Sequence, residues 1–264
     1  MNRLVHSELL KLRTTRLWWG LLLGVLLTSV ALGILTASIA GLNQDGDDTG
    51  AVLVDDPALI RSAYTSGLGF AYLFTLSLGI IVMAGEYRHQ TMSATVLAVP
   101  VRIKIVLAKL FALVGAGAGY GLAMIAASTA AAALVFTIRD LPLWRSDGRI
   151  VQAMALAVLA TALWALIGLG IGTLIRNQVV ALLVAIGIGW IVEPLIGFAL
   201  QQLDVGEVAK FLPTAATNAV VDPARQQGVD LTLLPWWGGA LVLLAYGLGS
   251  AAIGAVLTLR RDIT

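Results

Sequence analysis

Six stretches of this chain, each roughly 20 residues or longer, are almost free of charge: 17–42, 62–84, 110–138, 150–175, 179–200 and 235–259. A run of that length is enough to cross a ~30 Å hydrocarbon core as a helix. Lipid offers no partner to backbone N–H and C=O groups, so a spanning segment must satisfy them internally, and the alternation of a barrel strand is absent from all six runs. The expected fold is an all-α integral membrane protein, a single transmembrane domain over 1–264 with six transmembrane helices. Composition agrees, because 59% of residues are hydrophobic and only 12% charged, with a mean hydropathy of +0.91, against roughly 25% charged in soluble domains.

Several chemistries are excluded at once. There is no cysteine, which removes disulfides, thiolate zinc sites, iron–sulfur clusters and a thiol nucleophile. The two histidines, His6 and His89, are far apart and each lies near positive charge, so no metal site is expected. A net charge of +2 gives no reason to expect a nucleic-acid partner.

Orientation follows from the basic residues near the span ends. Arg61, Arg139, Arg145, Arg149, Lys210 and Arg225 fall on one side, and the other eleven of the 17 Lys and Arg on the side of the N-terminus. The first loop on the poorer side carries Asp45, Asp47, Asp48, Asp55 and Asp56. Both termini are therefore expected in the cytoplasm. The basic opening MNRLVHSELLKLRTTR resembles the start of a signal peptide, but the apolar run behind it is too long for an h-region of about 7–15 residues, so it reads as a permanent span. Within 1–16, Val5, Leu9 and Leu12 share a helical face with Leu4 at its edge while Arg3, Lys11 and Arg13 lie off it, as in a helix lying at the membrane interface. Residues 43–50 read as a solvated, turn-rich loop. In the longer connection 201–234, the apolar patch 208–221 is too short to span and suits a re-entrant or interfacial hairpin.

The segment 85–109, GEYRHQTMSATVLAVPVRIKIVLAK, is too long for a minimal turn. It reads either as a short surface helix from Glu86 that stops before Pro100 or as a charged loop that merely fixes topology. Arg102, Lys104 and Lys109 then straddle the entry to the third span, where they are expected to reach lipid phosphates as membrane-surface anchors. A basic-tipped N-terminal helix with Glu8, Lys11, Arg13 and Arg16, six spans, and Gly85-Glu86-Tyr87-Arg88 with Thr91, Pro100, Arg102 and Lys109 after the second together resemble the permease subunits of type-2 ABC transporters, mostly bacterial exporters. That resemblance implies that 85–100 is a cytoplasmic coupling segment. Glu86, Tyr87, Arg88, His89, Gln90 and Thr91 would meet a separate nucleotide-binding ATPase, and 1–16 would be the connecting helix. It also implies a bacterial plasma membrane, a second permease copy or homologue completing a dimer, membrane lipids as neighbours, and efflux of drugs, antibiotics, lipids or polysaccharides, a multidrug exporter among the options. ATP and Mg would be used by the partner, with no cofactor bound here. The chain contains no G-x-x-x-x-G-K-[ST] string, so the nucleotide site is expected in another polypeptide.

Gly115 to Gly121 fails dinucleotide-loop spacing and reads as small residues that let helices approach. Trp18, Trp19, Trp236 and Trp237 read as interfacial anchors; Trp164 and Trp190 lie deeper and, with Glu193, are candidates for lining a substrate path, with lipid-facing packing as the default reading of the two tryptophans. Glu193 is the one carboxylate within a span and is followed by Pro194. Three roles fit it: binding a cationic substrate, conducting protons, or marking where the span ends and an outer helical turn begins. The alternative to an exporter is an ion-driven secondary transporter using Glu193; an intramembrane hydrolase lacks a histidine at membrane depth.

Overall fold

The computed structural model describes residues 2–39, 57–88, 102–143, 148–175, 177–203, 205–221 and 234–261. Its α-helices are α1 (Asn2–Thr14), α2 (Leu17–Ile39), α3 (Pro57–Tyr64), α4 (Leu68–Arg88), α5 (Arg102–Ile138), α6 (Gly148–Leu174), α7 (Gln178–Gly187), α8 (Glu193–Gln202), α9 (Pro213–Val221) and α10 (Trp236–Arg261). A π-helical turn (Ile188–Val192) joins α7 to α8, and a 3-10 turn (Gly206–Phe211) precedes α9. Among the described residues there is no strand. Six segments of the described residues are long and apolar enough to cross a membrane: Leu17–Ile39, Pro57–Glu86, Leu107–Ile138, Gly148–Leu174, Gln178–Gln202 and Trp236–Gly254.

Burial distinguishes centre from rim. In α6 67% of the most apolar window is buried, against 17% in Gln178–Gln202, and α6 packs on α4, α5, α9 and α10. The α4–α6 crossing is close because it is built from glycine: a Cβ on Gly168 would overlap the Leu76 carbonyl oxygen, and one on Gly79 the Ala165 carbonyl oxygen. Gly117 and Gly121 do the same for α5, bringing it against Thr161, Ala162 and Val158. Gly117 and Gly121 thus act as packing residues, whereas a Cβ on Gly115 or Gly119 would meet no neighbour within 4 Å among the described residues.

Local signals set the helix ends. Asn177 caps α7, its Oδ1 accepting from the N–H groups of Val179 (3.0 Å) and Val180 (3.3 Å). At the end of α5, Asp140 takes φ 53°, and the Leu141 and Asp140 N–H groups return to Phe136 O (2.9 Å) and Thr137 O (3.4 Å). This is a Schellman closure with Asp in the position usually held by Gly. Arg139 Nη1 donates to Ser38 O (2.7 Å), closing α2 against α5.

Two spans start more than two residues before the expected position. The second span starts at Pro57 rather than at 62, because Arg61 is buried (8% exposed) instead of marking an edge. The helix of the third span, α5, is continuous from Arg102; its 37 residues would rise about 55 Å, well beyond the hydrocarbon core. The 208–221 patch forms the 3-10 turn and α9, and Ala216, Ala219 and Val220 are buried against α6 and α10.

Candidate functional site

The N-terminal helix α1 places Glu8 between Leu4 and Leu12 at helical spacing, on its apolar face. α4 brings Glu86 to the same point two residues before its end, and α5 brings Lys109 from within its first turns. Lys109 Nζ donates to Glu8 Oε2 and Glu86 Oε1, both at 2.7 Å. Lys11 Nζ donates to Glu8 Oε1 at 2.6 Å and reaches Glu86 Oε1 at 3.4 Å. Two carboxylates and two ammonium groups thus share one cluster, neutral as a whole. Glu8, Glu86 and Lys109 are 6%, 7% and 4% exposed, while Lys11 covers them from the wet side. Burial would raise the Glu8 carboxyl, but Lys109 and then Lys11 outweigh it and hold it below its ordinary value. For Lys11 burial acts downward and is outweighed by Glu8 and Glu86, so its ammonium group is held above its ordinary value.

This placement corrects two expectations. Lys109 does not reach for lipid phosphate: it faces inward, because Leu110, Ala112 and Leu113 beyond it also line the packed side of α5 and its two carboxylates lie there. Glu86 does not face an outside partner, because its carboxylate is turned into the cluster. Its Oε2 is buried and has no hydrogen-bond partner among the described residues. Tyr87 and Arg88 form the last turn of α4, Arg102 and Lys104 the first turn of α5, and Arg13 and Arg16 are exposed near the α1–α2 junction. His89, Gln90 and Thr91 lie outside the described residues. The α1–α2 junction is tied down by Trp18 Nε1 donating to Arg13 O (3.0 Å) and by Tyr120 OH donating to Trp18 O (2.7 Å).

A second site lies in the other half of the bundle. Glu193 stands about 22 Å along the fifth span from Gln178 and is 5% exposed. The helix does not break at Pro194: the π turn accommodates it, and α8 runs on to Gln202. The Glu193 carboxylate accepts from the Thr214 N–H (2.5 Å) at the start of α9, where the orphaned amides and the dipole of the helix favour an anion. The span therefore does not end at Glu193, and the acid caps a neighbouring helix. Trp190 is half exposed and packs on Phe70 (centroids 5.3 Å). Trp164 is core: it stacks on Tyr72 (4.7 Å) and donates Nε1–H to Thr217 Oγ1 at 2.9 Å. A cavity of about 410 Å³ is lined by Tyr72, Trp190, Glu193, Phe198 and residues of α9, but not by Trp164. Sequence reasoning missed Tyr72, Thr214 and Thr217. Among the described residues no group of three or more metal-ligating side chains occurs.

These features define a six-span helical membrane protein with a buried ion cluster at one end. The chain matches the family described as ABC-2 family transporter protein over residues 4–192 and belongs to it; it is a multi-pass membrane protein and a transport permease by family. No match was found among curated proteins. The matched range holds all four residues of the ion cluster and stops one residue before Glu193.

Proposed function

We propose that this chain is the membrane-spanning permease subunit of an ATP-driven exporter in the bacterial plasma membrane. It pairs with a second permease, identical or homologous, and is driven by a separate nucleotide-binding ATPase that uses ATP and Mg. Both termini lie in the cytoplasm, on the side of the ion cluster. The ATPase engages the segment that follows Glu86, with Arg88, His89, Gln90 and Thr91 as the contacts.

The observation that carries this reading is the Glu8–Lys109–Glu86–Lys11 cluster. It clamps α1 to the end of α4 and the start of α5, the two helices that flank residues 89–101 in sequence. A push on that segment is delivered to two long helices at once, and through the clamp to α1. Loosely packed helix ends would absorb the same push as local fraying. Four charges held this way contribute little net stability, since desolvation offsets much of the attraction, so their value lies in fixing three segments together.

The test is affinity purification of the tagged chain from its native membrane in mild detergent. A stoichiometric P-loop ATPase is expected to co-elute, and Arg88→Glu is expected to weaken its retention while the permease remains folded. Reproducible absence of such an ATPase from an otherwise intact complex overturns the reading. Cysteine labelling that finds Asp47→Cys accessible from the cytoplasm, or Arg88→Cys from outside, overturns the orientation.

A further inference from the structure

The cavity beside Glu193 combines three features that point to one ligand chemistry. Its wall from the fifth span is a helical stripe, with Trp190, Glu193, Gly197 and Gln201 recurring every three to four residues. Three aromatic rings line it, those of Tyr72, Trp190 and Phe198, and none of its lining residues is basic. Its carboxylate is buried, and among the described residues it forms no salt bridge; its hydrogen-bond contact is with Thr214, through both the backbone N–H and the side chain. A carboxylate offers about four acceptor positions, so this contact leaves the acid able to take another partner. The N-terminus of α9 counters only part of its charge, on the order of half a unit.

We propose that this cavity binds a hydrophobic organic cation. A volume of about 410 Å³ falls within the ~300–1,000 Å³ of small-molecule sites. Aromatic faces attract cations through their quadrupoles and more so when water is excluded, and the Glu193 carboxylate sets the sign of the field. An anion would meet a buried acid with no base beside it. Two of the three rings are held in place before any ligand arrives: Tyr72 by Trp164, which Thr217 fixes in turn, and Trp190 by Phe70. Gly189, Gly197 and Ala215 leave room for a bulky body. Naming the ligand as cargo rests on the export reading; binding itself does not.

The experiment measures equilibrium binding of tetraphenylphosphonium to the purified full chain in lipid nanodiscs, without ATP or ATPase, beside its anionic isostere tetraphenylborate and neutral triphenylphosphine oxide. Saturable binding of the cation, about tenfold or more tighter than of either control, is expected. Glu193→Gln keeps an acceptor for the Thr214 N–H and is expected to weaken the cation about tenfold, leaving the neutral compound unchanged; Trp190→Leu, which does not touch the helix cap, is expected to weaken it several-fold. Equal binding of cation and anion, or cation binding indifferent to both substitutions, overturns the proposal. Should Glu193→Gln fail to fold, Trp190→Leu and Phe198→Leu decide it in the same way. Loss of the site beside an intact ATPase complex sinks only this inference, whereas cation binding in a chain that recruits no ATPase sinks only the export reading.

Discussion

At one end of the bundle, Glu8 and Glu86 share two ammonium groups contributed from as far as 101 residues away in sequence; in the other half, Glu193 rests on the N-terminus of a nine-residue helix and, among the described residues, has no ion pair. Both arrangements bury an acid, but they do so by different physics. The cluster neutralises itself, so it projects little field and acts as a fastener. A helix N-terminus supplies only about half a charge, so the Glu193 region keeps a negative bias. The first arrangement suits mechanical coupling, and the second suits recognition of a positive ligand.

The sharpest way to break this contrast is to remove the shared cation. Lys109→Met leaves two buried carboxylates with only the half-exposed Lys11, and a loss of about 3–5 kcal/mol is expected, seen as a large drop in melting temperature in detergent or as no folded protein. A melt close to that of the parent would show that the cluster is not a fastener. Glu8→Gln should cost less, about 1.5–3 kcal/mol, because Glu86 keeps both ammonium groups.

Acid should read out the same residue. Glu8 is held below its ordinary value of 4.5 in the folded protein, so the stability it contributes is present above that value and is lost as pH falls through the folded one. Melting temperature should therefore carry an acid-side fall from this group below about pH 4.5, and Glu8→Gln should diminish it. Lys11 has the opposite sign: raised above 10.5, its contribution is complete below that pH and lost above it.

At the other site the effects should be smaller. Glu193→Ala removes the cap on α9, worth about 0.5–2 kcal/mol, while Glu193→Gln, which still accepts from Thr214, should sit near the parent in a melt. Lys11→Met closes the series at no more than about 1 kcal/mol, since its side chain is 46% exposed and such pairs are screened by water. If Glu193→Ala proved as damaging as Lys109→Met, the distinction between fastener and recognition site would fail.

Much of the fold was legible in the chain. Long apolar runs located six spans because every backbone group in lipid must bond within its own helix. The candidate sites were only half legible. Glu8 carried a signal, an acid within the apolar face of α1, as did Lys109, followed at helical spacing by buried Ala112 and Leu113. A rule that treats every charge as a boundary sent Lys109 and Arg61 to the surface, although both are buried.

What the sequence by itself determined was which segments leave water and that they do so as helices, since both follow from runs of neighbouring residues. Only the tertiary structure decided which charge meets which. Lys109 finds Glu86 23 positions away and Glu8 101 positions away, and Glu193 finds an amide on a helix 21 positions further on. Hydropathy is a local sum, whereas the partner of a buried charge is chosen by how the helices pack.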